Sequence, residues 1–131
     1  MKAFLAAAVI GVWTGAALAA DPVEGMWKTR PDDNGNFGYV LIKPCAAAFC
    51  GALIQTFDGA GAPGPTTIIG KQIVWDMIAA GDGTYGDGQI WAPDRDKTYS
   101  ATMQLTGDAL SVSGCVLGGL ICRAQDWTRV K

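Results

Sequence analysis

Histidine is absent from this 131-residue chain. Its absence removes the Ser–His and Cys–His nucleophile pairs and the commonest protein metal ligand. Charge is scarce as well: only 17% of residues are Asp, Glu, Lys or Arg, and the formal net charge is −2. Such a chain offers no basic footprint for nucleic acid and no basic amphipathic helix for a membrane surface. No internal repeat is visible. No glycine-rich loop opens a helix in the manner of a nucleotide site.

One apolar run is present, at the start. Met1-Lys2 is followed by an Ala- and Gly-rich stretch to Leu18, then by Ala17-Leu18-Ala19 before Ala20-Asp21-Pro22. A basic start, a short apolar segment and small residues before the cut describe a secretory signal peptide. We place cleavage after Ala19, leaving residues 20–131 as a single domain with one core and no transmembrane segment. No cysteine follows the cut, so lipid attachment there is disfavoured. Export points to the periplasm or the medium, and nothing in the chain asks for an oligomer.

The meander from Lys97 to Val130 can be registered by hand. Gly118-Gly119 reads as a tight hairpin turn. Folding there sets Val116 against Ile121 and Cys115 against Cys122, within disulfide reach. Folding at Gly107-Asp108 sets Leu105 against Leu110, Met103 against Val112, Ala101 against Gly114 and Tyr99 against Val116. Tyr99, Ala101, Met103 and Leu105 alternate with polar Ser100, Thr102, Gln104 and Thr106, as in a half-buried strand. Both folds put the apolar set on one face.

The last strand then places Ile121, Arg123, Gln125, Trp127 and Arg129 on that inner face. Trp127 suits a core. For Arg123 and Gln125 two readings stand. A one-residue bulge turns both outward, or both anchor a ligand inside an otherwise apolar barrel.

Four cysteines and an export signal imply an oxidising compartment and disulfides. With Cys115 paired to Cys122, Cys45 is left for Cys50 across Ala46-Ala47-Ala48-Phe49. The spacings are wrong for zinc knuckles, so neither a metal nor another cofactor is expected. Pairing Cys45 directly with Cys50 puts Ile42 opposite Leu53 and Leu41 opposite Ile54, and both faces are then apolar.

Elsewhere, Gly25–Arg30, residues 37–43, 51–57 and 89–92 read as strands, and 68–80 as strand in preference to a helical turn. Residues 58–67 (DGAGAPGPTT) form a loop, read as a mobile surface or lid. Gly81–Gly88 reads as turn punctuation; a calcium loop would need an acidic spacing that is missing. About eight short strands without an amphipathic helix indicate an all-β antiparallel sandwich or barrel.

The acid pairs Asp94/Asp96 and Asp82/Asp87 are better explained as turn formers than as a catalytic couple. Aromatic residues are the stronger lead. Trp91 and Tyr85 lie near loops, and with Arg123 and Gln125 they suit a ligand with an apolar body and a polar or anionic head.

Several short motifs occur together: Gly25-x-Trp27, Lys43-Pro44-Cys45…Cys50-Gly51, Gly88-x-x-Trp91-Ala92-Pro93-Asp94, Lys97-Thr98-Tyr99, Leu110-x-Val112-x-Gly114 and Trp127-Thr128-Arg129-Val130. In this order they resemble the secreted bacterial family called domain of unknown function 2147. The resemblance implies a small antiparallel up-and-down, lipocalin-like barrel in the cell envelope, with no established activity. It also implies that Trp27 and Arg129 close one end of the barrel, guanidinium over indole.

The expectation is an exported non-enzymatic barrel. Its candidate ligand site comprises Arg123, Gln125, Tyr99, Met103, Trp91 and Trp127, and its candidate partner is a small amphipathic or lipid-like molecule. The alternative is a structural or protein-interaction module of the envelope with a core filled by side chains.

Overall fold

The computed structural model describes residues 20–131; the export signal expected over 1–19 lies outside the described residues. Eight antiparallel strands follow one another around a closed barrel. They are β1 (Gly25–Lys28), β2 (Phe37–Cys45), β3 (Ala48–Phe57), β4 (Gln72–Ala79), β5 (Thr84–Ala92), β6 (Lys97–Thr106), β7 (Ala109–Val116) and β8 (Ile121–Arg129). Up-and-down order sends the β1–β2, β3–β4, β5–β6 and β7–β8 connections to one end. The remaining hairpins and both chain ends of the barrel lie at the other.

Alternation decides what fills the interior. Val40, Ile42, Leu53, Ala101, Met103, Leu110, Val112 and Trp127 are buried at period two along their strands. The β6–β7 register pairs Leu105 with Leu110, Met103 with Val112 and Ala101 with Gly114. β7 and β8 pair without a shift from Val116↔Ile121 to Ala109↔Thr128. Arg123 and Gln125 therefore keep the parity of Trp127, and the bulge that would turn them outward does not occur. Arg123 is nevertheless exposed at the open end and Gln125 half-buried, so Arg123 is not an anchor inside the barrel.

Two registers differ from those read from the sequence. The β2–β3 ladder pairs Cys45 with Ala48, Ile42 with Gly51 and Val40 with Leu53. It is thus slipped by two residues from the direct Cys45–Cys50 pairing. The turn is the two-residue Ala46-Ala47, with Ala46 at φ 55°, and the disulfide crosses the hairpin diagonally with a Cα separation of 5.5 Å. A two-residue slip conserves face, so the inner set Val40, Ile42 and Leu53 is the buried one. At the other end Cys115 bonds Cys122, which is its direct register partner.

The second difference concerns Gly86 and Gly88, which belong to β5 and not to a turn. Asp87 at φ 57° marks an irregularity there, and the β5–β6 register shifts between Tyr85 and Gly88. Gly88 lies where an added Cβ would come within 2.4 Å of Met77 Sδ and 2.8 Å of the Trp75 carbonyl oxygen. β5 and β4 approach too closely there for any side chain.

The seam between β1 and β8 is short, with Trp27↔Arg129 and Lys28↔Thr128 as its register pairs. Trp27 is fully buried, and the Arg129 guanidinium carbon stands 4.3 Å from its ring centroid. The Trp27 indole N–H donates to the Val23 carbonyl at 2.9 Å. Arg129 donates to the Glu24 and Pro22 carbonyls and meets Asp108 at 3.2 Å. Lys131 holds the other Asp108 oxygen at 2.8 Å. These cations, Lys131 foremost, keep the Asp108 carboxyl below its ordinary pKa. Gly25 has φ 127°, and a Cβ on it would come within 3.0 Å of an Arg129 terminal nitrogen, which accounts for glycine at the start of Gly25-x-Trp27.

Three outcomes follow from this packing. Trp27→Ala should cost about 3–5 kcal/mol and Arg129→Ala less, with a coupling above about 0.5 kcal/mol in a double-mutant cycle by urea unfolding; additivity would mean that the contact contributes nothing. Gly88→Ala should destabilise by roughly 1–3 kcal/mol, because backbone as well as Met77 must move, and the same unfolding curves read it. Each disulfide closes a short loop and should contribute about 2 kcal/mol, measured by comparing the protein with its Cys45→Ala/Cys50→Ala and Cys115→Ala/Cys122→Ala forms.

Candidate functional site

The interior is divided. Around the seam and the middle of the barrel, Trp27, Met77, Tyr85, Met103 and Leu110 leave little room, each at most 3% exposed. Tyr85 donates its hydroxyl to the Asp21 carboxylate. Burial, then Asp21, raises its pKa above the usual phenol range. The segment Asp21–Glu24 thus plugs this end.

Toward the opposite end the side chains shrink and a cup of about 780 Å³ opens. Its apolar wall is Leu53, Ile68, Ile73, Ile90 and Trp127. Gly38 and Gly114 hold inward positions of the mouth half without side chains; Gly114 sits opposite Arg123. The Trp127 indole N–H donates to Gln125 Oε1 at 3.0 Å. That bond satisfies the buried indole and leaves the Gln125 amide nitrogen available to the cup.

The rim is charged. Arg30, Asp32 and Asp33 come from the β1–β2 loop, Asp94 and Arg95 from the β5–β6 turn, and Arg123 from β8. These groups are not equally free. Asp32 accepts from the Asn34 and Asn36 backbone N–H groups, each at 2.9 Å. The Tyr99 hydroxyl, then Asp94, hold the Arg95 guanidinium above its ordinary pKa. The ion pairs among the described residues both belong to Asp108 at the closed end. Arg30 and Arg123 thus carry their charge at the rim unneutralised by direct contact.

A notch connects the cup to the side of the barrel. β1 ends at Lys28, so the part of β8 that precedes Thr128 has no β1 partner. The gap is flanked by Thr29, Arg30 and Pro31 on one side and by Arg123, Ala124 and Gln125 on the other.

The β3–β4 loop forms part of the wall, pinned rather than hinged. Thr56 donates to the Pro65 carbonyl, Gly64 N–H to the Thr56 carbonyl at 2.9 Å and Gly70 N–H to the Leu53 carbonyl at 2.7 Å. Asp58 Oδ1 collects the Ala60 and Ala62 N–H groups. The loop expected as a mobile surface or lid folds back on β3 through these bonds.

Of the residues singled out from sequence, Arg123, Gln125, Trp91 and Trp127 line the cup. Met103 is buried in the filled half, and Tyr99 stands half-buried beside the rim. Trp91 belongs to the rim, with its indole N–H held by Asp96 at 2.9 Å and Lys71 over its ring at 4.9 Å. Arg30, Arg95 and the apolar residues of β3, β4 and β5 were not foreseen. A usable signal existed, since an up-and-down barrel sends alternate turns to one end and therefore gathers Arg30, Arg95 and Arg123. The acid pairs are scattered among different local roles. Asp82 accepts from the Thr84 hydroxyl and N–H, which hold its carboxyl below the ordinary range. Asp87 sits at the irregularity of β5, and Asp96 accepts from the Trp91 indole.

Among solved structures, the chain is similar to a protein from Helicobacter pylori, HP1028, described as belonging to the lipocalin family. The TM-score is 0.67 at 16% identity, covering 82% of each chain. No curated protein matches the chain. The family described as an uncharacterized protein conserved in bacteria, DUF2147, matches residues 25–129. With that match spanning nearly the whole barrel, the chain belongs to the DUF2147 family.

Proposed function

We propose that this protein is an exported, non-enzymatic barrel that holds a small amphipathic molecule, its apolar body in the cup and an anionic head between Arg30 and Arg123. The observation that carries the reading is the cup itself. It has about 780 Å³ of space over Trp127, Leu53, Ile73 and Ile90, with Arg123 at its rim. Volumes of this size suit small-molecule sites, in which an apolar lining supplies affinity and a few polar groups set orientation. Arg123 keeps its hydration while the cup is empty and exchanges it for a carboxylate or similar head when a ligand enters. Gln125 stands one inward position deeper, placed to donate to the same head.

Catalysis is poorly supplied. The chain has no histidine, its cysteines are bonded, and Asp82 and Asp96 are engaged by Thr84 and Trp91. The disulfides fit an oxidising compartment such as the periplasm or the medium. The alternative, an envelope module with a filled core, draws on the packed half of the interior.

Fluorescent fatty-acid analogues should bind with a stoichiometry of one. Arg123→Met should weaken carboxylate ligands by roughly fivefold, the scale of an exposed charge contact, and leave the matching alcohols nearly unchanged. Fluorescence titration of both series reads this. Absence of binding by either series, together with an empty mass spectrum for the natively purified protein, would transfer the case to the filled-core module.

A further inference from the structure

The hairpin that carries Arg123 has an apolar tip that the cup does not use. No charged residue occurs from Ala109 to Cys122. At the tip, Val116, Leu117, Leu120 and Ile121 are 42%, 68%, 85% and 58% exposed. Turns are usually built from Gly, Asn, Asp and Ser, and clustered exposed leucine is unusual on a soluble surface. Leu117 is also held at φ 55°, a left-handed conformation that is unfavourable for a side chain of its kind. Burial does not explain a leucine there, since the core lies elsewhere. Beneath the tip, Cys115–Cys122 ties the two strands together, so the apolar residues stand on a braced, convex ridge.

The surroundings order themselves by depth. Arg123 is the first charge reached along β8, and the first acid on that strand is Asp126. Across the mouth, the β3–β4 loop is uncharged from Gly59 to Gly70 and presents Ile69 at 41% exposure. An apolar tip followed by arginine is the layering of a segment seated at a membrane interface, where apolar side chains enter the acyl boundary and guanidinium groups meet phosphates. The hairpin itself carries no acid before Asp126, and its first charge, Arg123, is complementary to an anionic headgroup layer. The acids of the same end, Asp32, Asp33 and Asp94, come from the neighbouring connections.

We propose that the β7–β8 hairpin docks the open end of the barrel on an anionic lipid surface, with Leu117 and Leu120 inserted and Arg123 at the phosphates. Docking in this way would bring the cup and its side notch against the bilayer. It does not depend on what, if anything, the cup holds.

Flotation of the oxidised protein with vesicles of phosphatidylethanolamine and phosphatidylglycerol tests the proposal, with phosphatidylcholine vesicles alongside. The protein should float with the anionic vesicles and far less with the zwitterionic ones. Leu117→Asp/Leu120→Asp should lower partition about tenfold or more, given the apolar area withdrawn and the repulsion added. Near-UV circular dichroism and fatty-acid-analogue binding without vesicles should be unchanged in that variant, which separates loss of docking from loss of the cup. Arg123→Gln should weaken partition to anionic vesicles only. The proposal is overturned if the wild-type protein does not float, if the double aspartate variant partitions as before, or if light scattering shows a wild-type dimer that this variant dissolves, since the ridge would then belong to a second copy.

Discussion

The Arg129 guanidinium on the Trp27 indole is the contact on which the barrel depends. Seven of the ladders join neighbours in sequence, and closure is left to β1 and β8. β1 is only four residues long, too short to close the wall by backbone hydrogen bonds alone. Arg129 compensates by binding the Pro22 and Glu24 carbonyls as well as the ring, so one side chain ties the entering chain to the last strand. The cost of ordering a guanidinium here is limited because its remaining donor faces Asp108 and solvent. Gly25 is the space that this arrangement requires.

The same shortness of β1 shapes the cup. A longer first strand would cover β8 as far as Arg123 and seal the side notch. Large inner residues such as Trp27, Met77, Met103 and Trp127 fill the closed half, while glycine holds inward positions 38 and 114 nearer the mouth. The interior therefore tapers from packed to open along one axis. The filled-core and cavity readings of such a barrel describe its two halves.

Much of the fold could be read before any coordinates, for a physical reason. Glycine turns and strict alternation from Tyr99 to Thr106 set register and face, so the β6–β7–β8 ladders followed from local chemistry. The β7–β8 connection, however, is the four residues Leu117 to Leu120 with a 3-10 turn, and not the two-residue Gly118-Gly119 turn expected. The β2–β3 hairpin was harder. Cysteines can bond diagonally as well as directly, and Leu41, Ile42, Leu53 and Ile54 are apolar on both faces, so neither constraint chose the register. β5 was foreshortened because Gly86 and Gly88 look like turn residues, although Gly88 is a glycine of close approach. The cup lining was only partly legible: Arg123, Gln125 and Trp127 lie on a strand whose parity could be counted, whereas Leu53, Ile73 and Ile90 meet only after the barrel closes.

The placement of the disulfides bears on how the molecule is made. Each joins residues within a single hairpin, five and seven positions apart in sequence, one at each end of the barrel. Neither staples the β1–β8 seam, so the oxidised chain remains topologically an open string, and closure is reversible whatever the redox state. Mispairing would require bringing Cys45 or Cys50 to Cys115 or Cys122 across the length of the chain, an encounter that loop-closure entropy disfavours relative to the local one. In an oxidising compartment a newly made chain can therefore oxidise hairpin by hairpin, before the barrel exists, with little demand for an isomerase.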